Sequence, residues 1–290
     1  VKKLLLLWVV AGWTLVVQGQ GQVDATTRPL AQFWADTFPQ LLAPDSQLTG
    51  GQPEALAHQL QVFIGQLQQD RREGQPALRV LRHIRQQVHQ HYLKTYAPHS
   101  SLGDVLVRQH YNCLSGSLLF AIVLENCGFR AKVYETSIHA YVQVSLADGQ
   151  QVLIETTDPA QGLIVDRPAV EAQLARYQSE DQTARTQGRT FANHTEPSLR
   201  ELGYQQMVGL LFYNEAVGHY NQQRYEQTVA CLQSAMEYYE AERNIAAMLR
   251  ATGQLLKSQG LAEDKRQSVA HLHAQYSQWF QKISTRVVPP

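Results

Sequence analysis

Net charge is the first thing this chain lacks. Lys and Arg total 25 and Asp and Glu total 25, so the formal charge is zero. Nucleic acid and anionic membranes attract proteins through a basic surplus, so neither is an expected partner. Cysteine is also scarce. Three cysteines in 290 residues do not make a disulfide framework, and an odd count leaves at least one thiol over. No Cys-x-x-Cys occurs, which removes the usual spacing of a redox dithiol. Charged residues make up only 17%, below the roughly 25% of an average soluble domain. Much of the difference is glutamine, at 37 residues, which reads as solvated helical surface. At 44% hydrophobic, the chain is not disordered by composition. Its length suits one or two domains with cores that need no staples.

The N-terminus is a separate segment. Lys2 and Lys3 precede an apolar run from Leu4 to Val17, which gives way to Gln18, Gly19, Gln20 and Gly21. A basic start, a short apolar stretch and small residues at its end predict a signal peptide over 1–21. The run is shorter than the roughly 20 residues that span a bilayer. Val17 and Gly19, or Gly19 and Gly21, would flank the cleavage site. The other reading is an uncleaved anchor formed by residues 4–17, and membrane contact is expected only in that case. Both readings predict an exported protein, periplasmic or secreted. The opening Val reads as an alternative start codon and suggests a bacterial source.

Residues 23–96 are expected to be helical. Leu30, Phe33, Trp34, Phe38 and Leu41 recur at helical spacing, as do Leu56, Leu60, Phe63, Ile64 and Leu67, then Leu78, Val80, Leu81, Ile84 and Val88. Gly50, Gly51 and Pro53 separate the first two stripes, Gly74 and Pro76 the next two, and Pro98 closes the block. Residues 97–165 form a different unit. Asn112 to Asn126 predicts a helix with Leu114, Leu118, Ala121, Ile122 and Glu125 on one face, and Gly128 suits its left-handed cap. Arg130–Thr136, His139–Leu146 and Gln151–Thr157 predict three strands, the last two joined at Asp148-Gly149. Residues 166–200 are polar and read as a linker or a loosely packed excursion. Helices resume over 201–285. Phe212, Ala216, Tyr220, Tyr225, Leu232 and Ala235 suggest an antiparallel pair turning near Gln222-Gln223-Arg224, with a looser helical stretch from Ile245 to Leu256. The pair has the spacing of a tetratricopeptide repeat, with Thr228 at its usual small position and the terminal proline missing.

Chemistry concentrates in Tyr111-Asn112-Cys113-Leu114-Ser115-Gly116-Ser117. Cys113 stands where the helix begins, with unpaired amides and the positive dipole end. That setting favours a thiolate, and the same amides suit the oxyanion of a tetrahedral intermediate. Tyr111 and Asn112 are candidate pocket or oxyanion residues beside it. A thiol nucleophile needs a base, and His139 opens the second strand. An imidazole needs a partner on its other nitrogen, and the return strand offers Glu155 and Asp158. A strict two-residue turn would set Asp158 opposite His139, and a longer or bulged turn would favour Glu155. Cys127 and Cys231 lie in apolar patterns and read as packing residues. Cys127 is too far along the helix from Cys113 to bond it. His83, His89 and His91 do not share a helical face suited to a metal, so neither a metal nor a cofactor is expected.

The ordered set of Asn-Cys opening an apolar helix that ends in Gly, a strand, His-Ala-aromatic, then a carboxylate near Thr or Pro resembles the transglutaminase-like superfamily. The matching segments are Tyr111–Arg130, His139–Val144 and Val152–Pro159. The resemblance implies an α+β fold with a papain-like core, here flanked by helical regions, and the roles of Cys113 as nucleophile, His139 as base and acid, and Glu155 or Asp158 as orienting acid. The family's third residue is usually Asp, about sixteen residues after His. Glu155 keeps that spacing, and Asp158 keeps the residue type with a following Pro. The function it implies is acyl transfer or amide and peptide hydrolysis on a protein or peptide substrate. The alternative is a non-catalytic binding or assembly module whose tetratricopeptide-like helices dock a protein partner.

Overall fold

Glycine and proline set the first boundaries. A computed structural model describes residues 30–45, 47–187 and 199–285, and the signal peptide expected over 1–21 lies outside them. Helix α1 (Leu30–Gln32) runs through a π-helical stretch, Phe33–Thr37, into α2 (Phe38–Leu42). Gly50, at a φ of 59°, turns the chain into α3 (Gln52–Gln69), and Gly74, at 72°, precedes α4 (Ala77–His91). The predicted apolar stripes are the buried ones: Leu60, Ile64, Leu81, Ile84 and Val88 all face the core. Within the block expected to be helical, β1 (Thr95–Tyr96) instead pairs in parallel with β2 (His110–Tyr111).

Helix α5 (Cys113–Asn126) starts at Asn112 and stops before Gly128, which takes a φ of 84°. It is more than amphipathic. Every residue from Leu114 to Leu124 is buried, because α4, the sheet and a later helix enclose it. Each fully buried Leu, Ile or Phe contributes about 1.5–3 kcal/mol of transfer free energy. One antiparallel sheet carries β3 (Arg130–Glu135), β4 (Ala140–Ser145), β5 (Gln151–Ile154), β6 (Leu163–Ile164) and β7 (Arg200–Leu202), in the order β6-β5-β4-β3-β7. The fold is therefore α+β, with three strands close to their predicted spans and two short edge strands that the alternation did not show.

The two faces of this sheet differ. Ala131, Val133, Ala140, Val142, Val144, Val152 and Ile154 belong to the main core with α5. Tyr141 and Leu153 point the other way and pack with Val170 and Tyr177. Those last two residues lie on α6 (Arg167–Thr186), which corrects the linker reading over 167–186; residues 188–198 of that stretch lie outside the described ones. Asp166 caps the helix through its side chain, a proline follows in the first turn, and Val170, Leu174, Tyr177 and Ala184 fall on one helical face. The stripe is sparse, so the polar residues around it masked the period.

Helices α7 (Tyr204–Asn221), α8 (Tyr225–Tyr238), α9 (Glu242–Lys257) and α10 (Glu263–Thr285) follow, each packed on the next. The turn between α7 and α8 falls at Gln222–Arg224 as expected, with Gln223 left-handed. Ala216, Leu232, Met248, Ala251 and Leu255 make a core of their own. The region is nonetheless continuous with the sheet. Met207, Val208, Leu210 and Leu211 of α7 belong to the main core, and Glu135 of β3 accepts hydrogen bonds from Arg243 (2.7 Å) and Tyr239 (2.6 Å). Among the described residues, no helix is long and apolar enough to cross a membrane.

Candidate active site

Asn112 builds the start of α5. Its side-chain oxygen accepts the Ser115 amide at 2.9 Å while Ser115 Oγ accepts the Asn112 amide at 3.1 Å, a reciprocal cap that satisfies two first-turn donors. The Asn112 side-chain NH2 donates to Ser100 O at 3.3 Å. The side chain expected at the pocket wall is thus committed to the cap, and it acts on the site by fixing where Cys113 stands. The Gly116 amide bonds Asn112 O, which leaves the amides of Cys113 and Leu114 without an intrahelical acceptor. Tyr111 is buried, and it meets Tyr96 edge to face at 6.0 Å. A Cβ on Gly116 would come within 3.3 Å of the Tyr111 ring and of Thr156. Glycine therefore lets the end of β5 close onto the helix start.

Cys113 is half-buried. His139 precedes β4, at the strand end that Ser117 of α5 touches through a 3.3 Å bond to Ala140 O. The imidazole hydrogen-bonds the Glu155 Oε2 atom through Nε2 at 2.6 Å, and Cys113 lies near enough to act on its protonation. The two side chains are 19% and 11% exposed, enough shelter from water to strengthen the pair. Burial works against a charged His139, but the hydrogen bonds and charges of Cys113 and Glu155 prevail and raise its pKa to about 10. Burial likewise works against a charged Glu155. The bond and charge of His139, with donors from Thr157 and Tyr177, outweigh it and hold the carboxylate at about 2.

The three residues expected as a triad are brought together, with Glu155 in the third place. The hairpin decides this. Leu146 pairs with Gln150, so the loop holds three residues, with Gly149 left-handed at 84°. Val142 then faces Ile154, and the Glu155 side chain reaches His139 on the diagonal. Asp158 does another job. Its carboxylate accepts the Ala160 and Gln161 amides at 3.0 and 2.8 Å, and Arg85 donates to its carbonyl oxygen at 2.7 Å.

Four residues at the site escaped the sequence reading. Thr157 donates to Glu155 Oε1 through its hydroxyl (2.6 Å) and its amide (3.1 Å). Tyr177 donates to Glu155 Oε2 at 2.6 Å. Asp181 accepts the Ser137 amide, two residues before His139, at 2.6 Å. Tyr96 is 55% exposed, and Cys113 adds its charge to the burial that raises the phenol's pKa. Only the period of α6, Val170 to Tyr177 to Ala184, offered a signal for the second and third.

The remaining candidates lie elsewhere. Burial pushes the Cys127 and Cys231 thiols up to about 11, and both are free. His83 meets Asp70, His91 bonds Gln87 O, and His89 packs on Phe120 at 5.6 Å, so the three histidines do not converge. Compared with protein-family models, with curated proteins and with solved structures, the chain has no match, and the chemistry of the site rests on its own residues.

Proposed function

We propose that the protein is a cysteine-dependent acyltransferase or amidase of transglutaminase-like type, acting on a protein or peptide in the compartment to which it is exported. One observation carries the reading: a single imidazole stands beside a thiol at a helix start and is bonded to a buried, ionised carboxylate. His139, its proton affinity raised by these neighbours, holds the proton that Cys113 gives up. The sulfur attacks an amide carbonyl, the S–C bond forms, and the oxyanion meets the free amides of Cys113 and Leu114. His139 returns the proton to the leaving amine as the C–N bond breaks. Water, or a second amine, then attacks the thioester, and the thiol is restored. Glu155 holds the imidazole tautomer and stabilises its charge. No metal or cofactor is called on.

The test is the burst of p-nitrophenolate from p-nitrophenyl acetate, with the thioester on Cys113 identified by mass spectrometry. The expected result is a stoichiometric burst that Cys113→Ala abolishes. Equal bursts from both proteins overturn the reading.

A second reading is a binding module in which α7–α10 dock a protein partner. The observation favouring it is the separate core of these stacked helices. A partner captured equally by wild type and Cys113→Ala, with no burst from either, would support it.

A further inference from the structure

We infer that Tyr177 of α6 is a positioning residue for the site, fixing Glu155 so that the carboxylate stays ionised and aimed at His139; the inference rests on the reading of Cys113 as nucleophile. The starting point is residue type. A glutamate has one more rotatable bond than an aspartate, and ordering such a side chain opposes folding by up to about 2 kcal/mol. Here that freedom is removed by four donors. Oε1 takes both groups of Thr157, and Oε2 is shared between His139 Nε2 and the Tyr177 hydroxyl, each at 2.6 Å.

Tyr177 is itself fixed before it donates. It is 2% exposed, stacks on Tyr141 at 4.6 Å and lies against the His139 ring at 5.1 Å. One helical turn further on, Asp181 ties the same face of α6 to the turn that delivers His139, and Arg185 pairs with Asp181 at 2.7 Å, so no unpaired charge is buried there. Within that turn Thr136 Oγ1 accepts the Ile138 and His139 amides at 3.2 and 3.0 Å. The phenol therefore has little room to move relative to the imidazole. Its dipole points at the oxygen that holds His139, and this supports the charged carboxylate where burial opposes it.

The experiment is Tyr177→Phe in the full chain, which keeps the stacked ring and removes only the hydroxyl. The burst rate is followed against pH alongside thermal melting. With one donor lost, Glu155 protonates more readily. The acid limb of the rate profile should rise by about one pH unit, the size of shift that one charge-assisted hydrogen bond commands, and the plateau rate should fall. A residue that only packs would leave the limb where it is. A folded Tyr177→Phe with the wild-type limb overturns the inference. Should the variant not fold, the wild-type chain still decides. A slowly exchanging Tyr177 hydroxyl proton with a through-space NMR contact to the His139 ring supports the inference, and rapid exchange of that proton with water overturns it. The two readings fail separately. A wild type without a Cys113-dependent burst defeats the nucleophile, whereas a burst whose limb ignores Tyr177→Phe defeats only the positioning role.

Discussion

The two faces of the central sheet carry different loads. Toward α5 the strands present Ala, Val and Ile, packed on a helix buried on every side. Toward α6 they present Tyr141 and Leu153, and in line with these His139 and Glu155, bonded to each other and to a phenol and a hydroxyl. The first face is held by area removed from water, which is large and tolerant of small shifts in angle. The second is held by directional bonds, which add less net stability but fix atoms in place. Stability and chemistry are thus separated by the alternation of a single strand: Ala140 faces the helix, and His139, one residue earlier, faces the site.

The widest gap between the faces should appear in His139→Gln. Removing the proposed base is expected to lower the Cys113 burst rate by about 10²–10⁴-fold, measured by stopped flow. The chain should still fold, since the main core is untouched. A burst within tenfold of wild type would mean that His139 is not the base. Leu118→Ala tests the opposite face. Leu118 is fully buried in α5, and its truncation is expected to lower stability by about 2–5 kcal/mol, measured by denaturant melting. The acid limb of the burst profile should not move. A limb that follows Leu118→Ala would show that the faces are not separate.

A smaller effect is expected in the pH dependence of stability. The Glu155 pKa is depressed to about 2 from 4.5. Its contribution is complete above 4.5 and is lost as pH falls through about 2. The His139 pKa is raised to about 10 from 6.5. Its contribution is complete below 6.5 and is lost as pH rises through about 10. Both are therefore complete between about pH 4.5 and 6.5, and the melting temperature should plateau there. In His139→Gln, the part of the alkaline decline between pH 6.5 and 10 that belongs to the imidazole should vanish. An unchanged alkaline slope would sink the pairing.

Legibility in the sequence follows the range of the physics. The start of α5 was readable because a cap and a left-handed glycine are local, and Asn112 and Gly128 stand within the helix's own turns. Cys113 and His139 were readable because they open two strongly patterned elements. Helix α6 was hidden because its four apolar residues are spread over four turns of polar surface, and β6 and β7 are too short to alternate. Tyr177 and Asp181 had no local signature of function. Their partners, Glu155 and Ser137, lie 22 and 44 residues away, and only tertiary packing joins them.

The smallest expected effect concerns the choice between the two carboxylates, which turned on a single loop residue. A hairpin of two loop residues would have set Asp158 opposite His139. The observed three-residue loop moves the register by one, and side chains of the return strand that met the site in one register face away from it in the other. In this register the Asp158 carboxylate serves its own turn through Oδ1, which accepts the Ala160 and Gln161 amides. Asparagine keeps that oxygen, and Arg85 reaches a backbone carbonyl that the substitution does not alter. Asp158→Asn should therefore change stability by no more than about 0.5 kcal/mol and leave the burst rate near wild type. The same isosteric change at Glu155 removes the charge that pairs with the imidazole and should slow the burst by about 10²-fold or more. Should Asp158→Asn prove the more damaging of the two, the chemistry would belong to the loop instead of the α6 face. The division of labour between the faces would then fail at its decisive residue.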